Sequence, residues 1–415
     1  MAGRDGQTGK GRKRPPRILF IHENFPAQFG TFAGWLSTRG WDVTFATARE
    51  GVGEVGFRVV TFKPHREVTK GIHHYVAGFE RAVINGQAFV REAVRLRAAG
   101  YVPDIVVAHS GWGVGTFVKD VWPETRFLPY FEWFYHWPPR DRSRHDPPSD
   151  DLEGRARARV RNAPMWLDLS SADGAICPTG FQAEQFPQAF RDRITVLPDG
   201  FDTAMHCPGP RDDALLARFG VPRGAPVLTY LARGMEPSRG FPEMMEAVAL
   251  VQKRRADLHA VIVGEDRVAY GRKLDSGSWR TSMLERLALD QSRLHFTGRV
   301  SRPDMIRIFQ SSDAHLYLSV PFVLSWSAIE AMSCGCLMVA SDVAPVREVM
   351  RHEENALLVD MHDAGAIADA VERALAKGDD IAAMRQRARA DIVARFDAES
   401  VAFPRIVAYF ESLFR

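Results

Sequence analysis

The chain has 415 residues, with 54 Lys and Arg against 51 Asp and Glu, for a formal net charge of +3. That balance is too small to argue for a nucleic-acid partner. The length suggests about two or three domains, and 46% hydrophobic residues is enough for a full core in each.

Residues 1–16 are rich in Gly, Lys and Arg and have no apolar core, so they read as a disordered basic tail and not as a secretory signal. A regular pattern then begins: strand 17–21, helix 29–39, strands 42–46 and 58–62, and a long helix 74–99. Strands 104–108 and 126–131, helix 154–170 and strands 174–177 and 194–197 complete the first half. A connector with Pro198, Gly200, Pro208, Gly209 and Pro210 marks a boundary. The second half restarts with strand 227–231, helix 241–254, strands 259–263 and 294–296, helix 302–310 and strand 314–318. Strands 337–340 and 357–359 follow, and then helices to the end. Strands alternating with helices predict two doubly wound α/β domains with parallel sheets and a cleft between them. The expected division is 1–16 tail, 17–205 first domain, 206–398 second domain and 399–415 a last helix that packs back on the first.

No apolar run of ~18 residues is present, which argues against a spanning helix. The four cysteines lack zinc-site spacing and fit a reducing compartment, so a cytoplasmic location is expected. Basic clusters at 4–17 and 140–161 read as solvated surface, although the N-terminal one permits contact with a membrane surface.

In doubly wound sheets, ligands bind at the carboxyl ends of the strands, and the candidate residues follow predicted strands. After strand 17–21 come His22, Glu23, Gln28 and Gly30, without a G-x-G-x-x-G fingerprint. His109 follows strand 104–108 and suits a sugar hydroxyl or acid/base role; a structural histidine is the alternative. Glu132 lies in an aromatic stretch, 130–137, suited to stacking on a sugar or to plain packing. Arg233 and Arg239 flank a strand-to-helix turn and can converge on a diphosphate, or else pair with Glu236 or Glu243. In the segment 321–335, Ser325, Trp326 and Ser327 open a helix whose backbone N–H groups suit a phosphate. Ser327 and Glu330 also match a capping box, the structural alternative. There is no Asp-x-Asp sequence and no P-loop lysine motif, so no metal site or cofactor is expected.

Taken together, Phe20 to Phe29, Leu197 to Asp202, Arg233-Gly234 with Arg239-Gly240, Val263-Gly264, Phe296-Thr297-Gly298 and Glu330 to Gly335 resemble the family 4 glycosyltransferases. The resemblance implies a GT-B fold and a retaining, metal-independent enzyme that uses a nucleoside diphosphate sugar. It implies that Arg233 and Arg239 bind the donor diphosphate, that Glu330 binds the ribose and that Ser325, Trp326 and Ser327 supply the phosphate-binding helix start. His109 falls where the family has a catalytic or sugar-contacting histidine, and the loop from Gln28 to Gly30 would approach the diphosphate from the other domain. One position departs: Phe322 stands where the family has an acid at the donor sugar. The acceptor expected is a glycan, a lipid-linked glycan or a small molecule, in polysaccharide, glycoconjugate or natural-product glycosylation. A nucleotide-sugar epimerase of the same architecture and a non-catalytic nucleotide-sugar-binding subunit are the rival readings.

Overall fold

A computed structural model describes residues 14–146, 151–271, 273–376 and 378–414. Most of the expected tail, 1–13, lies outside the described residues, as do positions 147–150 of the second basic cluster. No helix among the described residues is long and apolar enough to cross a membrane.

The chain folds around two all-parallel sheets. The first contains β1 (Arg17–His22), β2 (Asp42–Thr47), β3 (Arg58–Thr61), β4 (Ile105–His109), β5 (Arg126–Tyr130), β6 (Ala175–Cys177) and β7 (Ile194–Val196), in the order β3-β2-β1-β4-β5-β6-β7. The second contains β8 (Val227–Gly234), β9 (His259–Glu265), β10 (Leu294–Gly298), β11 (Ala314–Tyr317), β12 (Met338–Ser341) and β13 (Leu357–Val359), in the order β10-β9-β8-β11-β12-β13. Strand order reverses between β1 and β4 in one sheet and between β8 and β11 in the other. Crossover helices leave a crevice at such a reversal, above the carboxyl ends of the two strands. His22 ends β1 and His109 ends β4, while the Arg233 and 321–327 segments leave β8 and β11.

The strands are near-continuous apolar runs because both faces are covered. Ile18, Phe20 and Phe45 pack on one face of the first sheet with Phe403 and Phe410. These last two come from the helix Phe403–Ser412, so residues from the end of the chain complete the core of the first sheet. Leu19, Ile21 and Phe89 fill the opposite face.

Two expectations need correction. Helix 154–170 is two helices, Leu152–Arg161 and Ala163–Ser171. Pro164 cannot donate in the first turn of the second, and the Asn162 side chain ties the junction to the Tyr135 backbone through two 2.8 Å hydrogen bonds. The basic cluster 140–161 is not wholly solvated surface either. Arg144 crosses to the second sheet's helix Phe241–Arg254, meeting Glu243 at 3.0 Å and Glu246 at 2.7 Å.

Candidate functional site between the two sheets

β8 runs to Gly234, with a register irregularity between Leu231 and Gly234, and so presents Arg233 at its exposed end. The following loop is held from inside by Glu236, which is fully buried and accepts the backbone N–H groups of Ala269 and Tyr270. Burial raises the Glu236 pKa against those hydrogen bonds. Gly240 takes φ +63° and starts the helix Phe241–Arg254. Tyr230 donates its hydroxyl to the Arg239 carbonyl at 2.8 Å, and Arg239 Nη1 donates to Ser319 Oγ at 3.0 Å. Neither Arg233 nor Arg239 forms an ion pair with Glu236 or Glu243, the alternative the sequence left open: Glu236 is spent on backbone and Glu243 on Arg144 and His145.

The helix Trp326–Ser333 starts beside them. Its N-cap is Ser325, whose Oγ accepts the Ser327 N–H at 3.3 Å. The capping box of Ser327 and Glu330 does not form. Glu330 is 6% exposed, and its Oε1 lies 3.2 Å from Arg302 Nη2 and 3.5 Å from His206 Nε2. Removing the cap tests this assignment. Ser325→Ala is expected to cost about 1 kcal/mol in chemical denaturation, and Ser327→Ala less, because only Ser325 satisfies a terminal N–H.

Arg233, Arg239, Arg267, Arg299, Ser325 and Ser327 line a cavity of about 470 Å³. Arg267 is partly neutralised by Glu265 at 2.7 Å. The cavity therefore offers a cluster of guanidinium groups at the positive end of a helix, a setting that favours a polyanion. Glu330 does not line it.

A second cavity, of about 340 Å³, adjoins the first. Arg239 and Ser325 line both, and here Gln28, Glu132, Asp199 and Trp326 face them. Gln28 Nε2 donates to Glu132 Oε1 at 2.6 Å. His109 Nε2 lies 3.2 Å from Glu132 Oε2, within ion-pair range but not aligned as a hydrogen bond, so both nitrogens of this buried ring (4% exposed) lack one. Burial alone would push the Glu132 pKa up, but His109 and Gln28 outweigh it and hold the carboxyl below its ordinary range. His22 stacks edge-on to His109 at 4.6 Å. Burial, reinforced by His109, lowers its pKa to about 3, so His22 is neutral and its Nδ1 accepts the Asn24 N–H at 2.8 Å. Glu23 turns toward Asn85, which donates to its Oε1. Gly30 does not line either cavity; it is buried where a Cβ would fall 2.3 Å from Pro26 Cβ, so Ala27 and Gln28 carry this loop's approach to the cleft.

The Trp326 side chain reaches the other half of the molecule, donating Nε1–H to Asp199 Oδ2 at 2.8 Å, while Tyr130 donates its hydroxyl to Asp199 Oδ1 at 3.0 Å. Phe322 meets Trp133 edge to face at 4.8 Å and Tyr270 at 5.7 Å, and the Arg239 guanidinium lies 5.7 Å from its ring centre. The position without an acid thus belongs to an aromatic contact between the halves.

Asp168, fully buried, accepts the Ser110 hydroxyl at 2.7 Å and the Thr116 hydroxyl at 3.1 Å, and so fixes the loop that follows His109. The signal for it was an acid on the apolar face of a helix, between Met165, Leu169 and Ala172. Burial raises its pKa to about 6, against which the two hydroxyls act. A raised carboxyl pKa favours the fold fully below the unfolded value, near 3.8, and that contribution is lost as pH rises through 6. Asp168→Asn, which keeps an acceptor but never ionises, is expected to match the wild type near pH 4. At pH 7.5 it should be more stable by about 2 kcal/mol, as read by urea denaturation at each pH.

Residues 39–206 match the model of a glycosyl transferase family 4 group, and residues 225–377 match that of glycosyl transferases group 1. The chain belongs to the family 4 glycosyltransferases. The first matched segment carries His109, Glu132 and Asp199, and the second carries Arg233, Arg239 and the 321–330 stretch. The D-inositol 3-phosphate glycosyltransferase of Nocardia farcinica is 28% identical over 229 residues, covering 53% of this chain and 49% of that protein. The protein of the same name from Nocardioides sp. is 26% identical over 314 residues, covering 71% and 66%. For the first of these relatives, the chain spans about half their length. Sucrose-phosphate synthase from Thermosynechococcus elongatus superposes over 97% of this chain and 99% of its own with a TM-score of 0.73 at 17% identity. Anabaena HepE in complex with UDP-glucose superposes over 95% and 99% with a TM-score of 0.71, also at 17% identity. These likenesses identify the architecture as the GT-B fold.

Proposed function

We propose that the protein transfers a sugar from a nucleoside diphosphate sugar to an acceptor hydroxyl, with retention of anomeric configuration. The observation that carries this is the 470 Å³ cavity, where Arg233, Arg239 and the start of the helix Trp326–Ser333 converge at the β8/β11 reversal. UDP-linked sugars are the first donors to test, because HepE holds UDP-glucose in the same fold. In this reading the diphosphate lies against Arg233, Arg239 and the N–H groups near Ser325. The arginines stabilise the charge that develops on the leaving diphosphate, without a metal or other cofactor. The acceptor oxygen bonds to the anomeric carbon on the face from which the diphosphate departs, and a departing phosphate oxygen takes the acceptor proton. His109, 3.2 Å from Glu132, is the candidate to contact the sugar or the acceptor hydroxyl. The acceptor is a glycan, a lipid-linked glycan or a small molecule.

A melting-temperature screen against UDP, GDP and ADP and their sugars tests the donor site, since a ligand of the folded state raises the melting temperature by mass action. A rise with at least one nucleoside diphosphate is expected, and its absence with all of them sinks the assignment. Incubation with donor alone distinguishes transfer from epimerisation, which would convert the sugar without an acceptor.

A further inference from the structure

Among the residues lining the 340 Å³ cavity, Arg239 is the one cationic side chain, and the reading above assigns it to the donor diphosphate. What then remains facing the reacting end is acidic. The Glu132 side chain is about one-third exposed, opens on this cavity and is held ionised near neutral pH by His109 and Gln28. Asp199 is a second acid in the same wall, its pKa raised by burial to about 6, so it too is largely ionised at pH 7.5. His22, neutral, does not offset them. The rest of the polar lining, Gln28, Thr179 and Gln182 among it, is uncharged. A phosphate brought here would meet two carboxylates, one of them beside His109, and the donor diphosphate, with no cation in the lining beyond Arg239 to pair with it, and like charges at such range repel strongly when partly desolvated.

We propose that the acceptor enters this cavity uncharged, as a sugar or polyol hydroxyl without a phosphate near its reacting end. This rests on the donor reading and sets the chain apart from relatives named for D-inositol 3-phosphate.

The test compares matched pairs on the full-length protein at pH 7.5: myo-inositol against D-inositol 3-phosphate, and glucose against glucose 6-phosphate. Saturation-transfer NMR, which detects weak binding, reads each pair with saturating UDP, GDP or ADP present. The neutral member of at least one pair is expected to bind, and its phosphorylated partner to bind at least tenfold more weakly. Glu132→Gln with Asp199→Asn removes both charges and is expected to narrow that gap several-fold, while a nucleoside diphosphate still raises the melting temperature. A phosphorylated member that binds as well as its neutral partner overturns the proposal, and so does silence from both neutral members. If the double variant does not fold, the wild-type comparison decides alone. Failure of the donor reading is seen separately, as the absence of any melting shift with the diphosphates themselves.

Discussion

Replacing Arg233 and Arg239 together by Ala is expected to lower kcat/KM by roughly 10²–10⁴-fold and to abolish the melting shift given by the bound nucleoside diphosphate. The size follows from two charge-assisted contacts to phosphate oxygens worth about 1.5–3 kcal/mol each, since about 1.4 kcal/mol is a factor of ten. The fold has little to lose. Arg233 is exposed and makes no ion pair among the described residues, and Arg239 gives up a 3.0 Å hydrogen bond to Ser319 Oγ, a long 3.5 Å one to the Val323 carbonyl and its approach to the Phe322 ring. Urea denaturation without ligand should therefore move by about 1 kcal/mol or less. Lys at both positions keeps the charge and loses the planar fork, so an intermediate activity is expected. Unchanged transfer in the double Ala variant, measured with the donor that gave the largest melting shift, would falsify the diphosphate assignment.

Gly240→Ala attacks the same site through the backbone. Gly240 has φ +63°, and a Cβ there would fall 2.3 Å from the Cβ of Leu318, a core residue 1% exposed just after β11. A left-handed conformation costs an L residue about 1–2 kcal/mol, and overpacking adds about 1–3 kcal/mol, so a loss of about 2–5 kcal/mol is expected. Gly224 separates the two terms. Its φ is +76° but nothing lies within 4 Å of its added Cβ, so Gly224→Ala should cost only the backbone part, about 1–2 kcal/mol. Equal losses at the two positions, by urea denaturation, would show that the approach to Leu318 does not limit this turn. Because Gly240 adjoins Arg239, diphosphate affinity should fall in Gly240→Ala and hold in Gly224→Ala.

The two-sheet architecture was legible in the alternation of apolar strands with amphipathic helices, a local property. The strand order was not, because the pairing of β1 with β4 joins segments separated by two other strands and a long helix. Residues after strand ends could be picked out from turn chemistry alone: Gln28, Glu132, Arg233, Arg239 and Ser325 line the two cavities, while His109 is buried against Glu132 and His22 against His109. Side-chain pairings across long sequence distances stayed hidden. Asp199 was visible only as part of a Pro- and Gly-marked connector, yet its partners are Tyr130 and Trp326. Glu330 sits three residues after Ser327, as a capping box requires, but Arg302 and His206 claim it first. The Phe322 contact needed Trp133 and Tyr270, which lie on opposite sides of the connector.

The helix Phe403–Ser412 also bears on how the protein is made. Phe32 packs on Phe403 at 4.8 Å, and Phe410 joins Ile18, Phe20 and Phe45 in one core. During synthesis the first sheet leaves the ribosome long before these two rings exist, so Phe32, Trp35 and Leu36 must wait uncovered while the whole second half is translated. At about 5–20 residues per second, that wait lasts on the order of ten seconds or more. Ribosome-stalled chains lacking the last helix are therefore expected to bind holding chaperones more strongly than the completed chain.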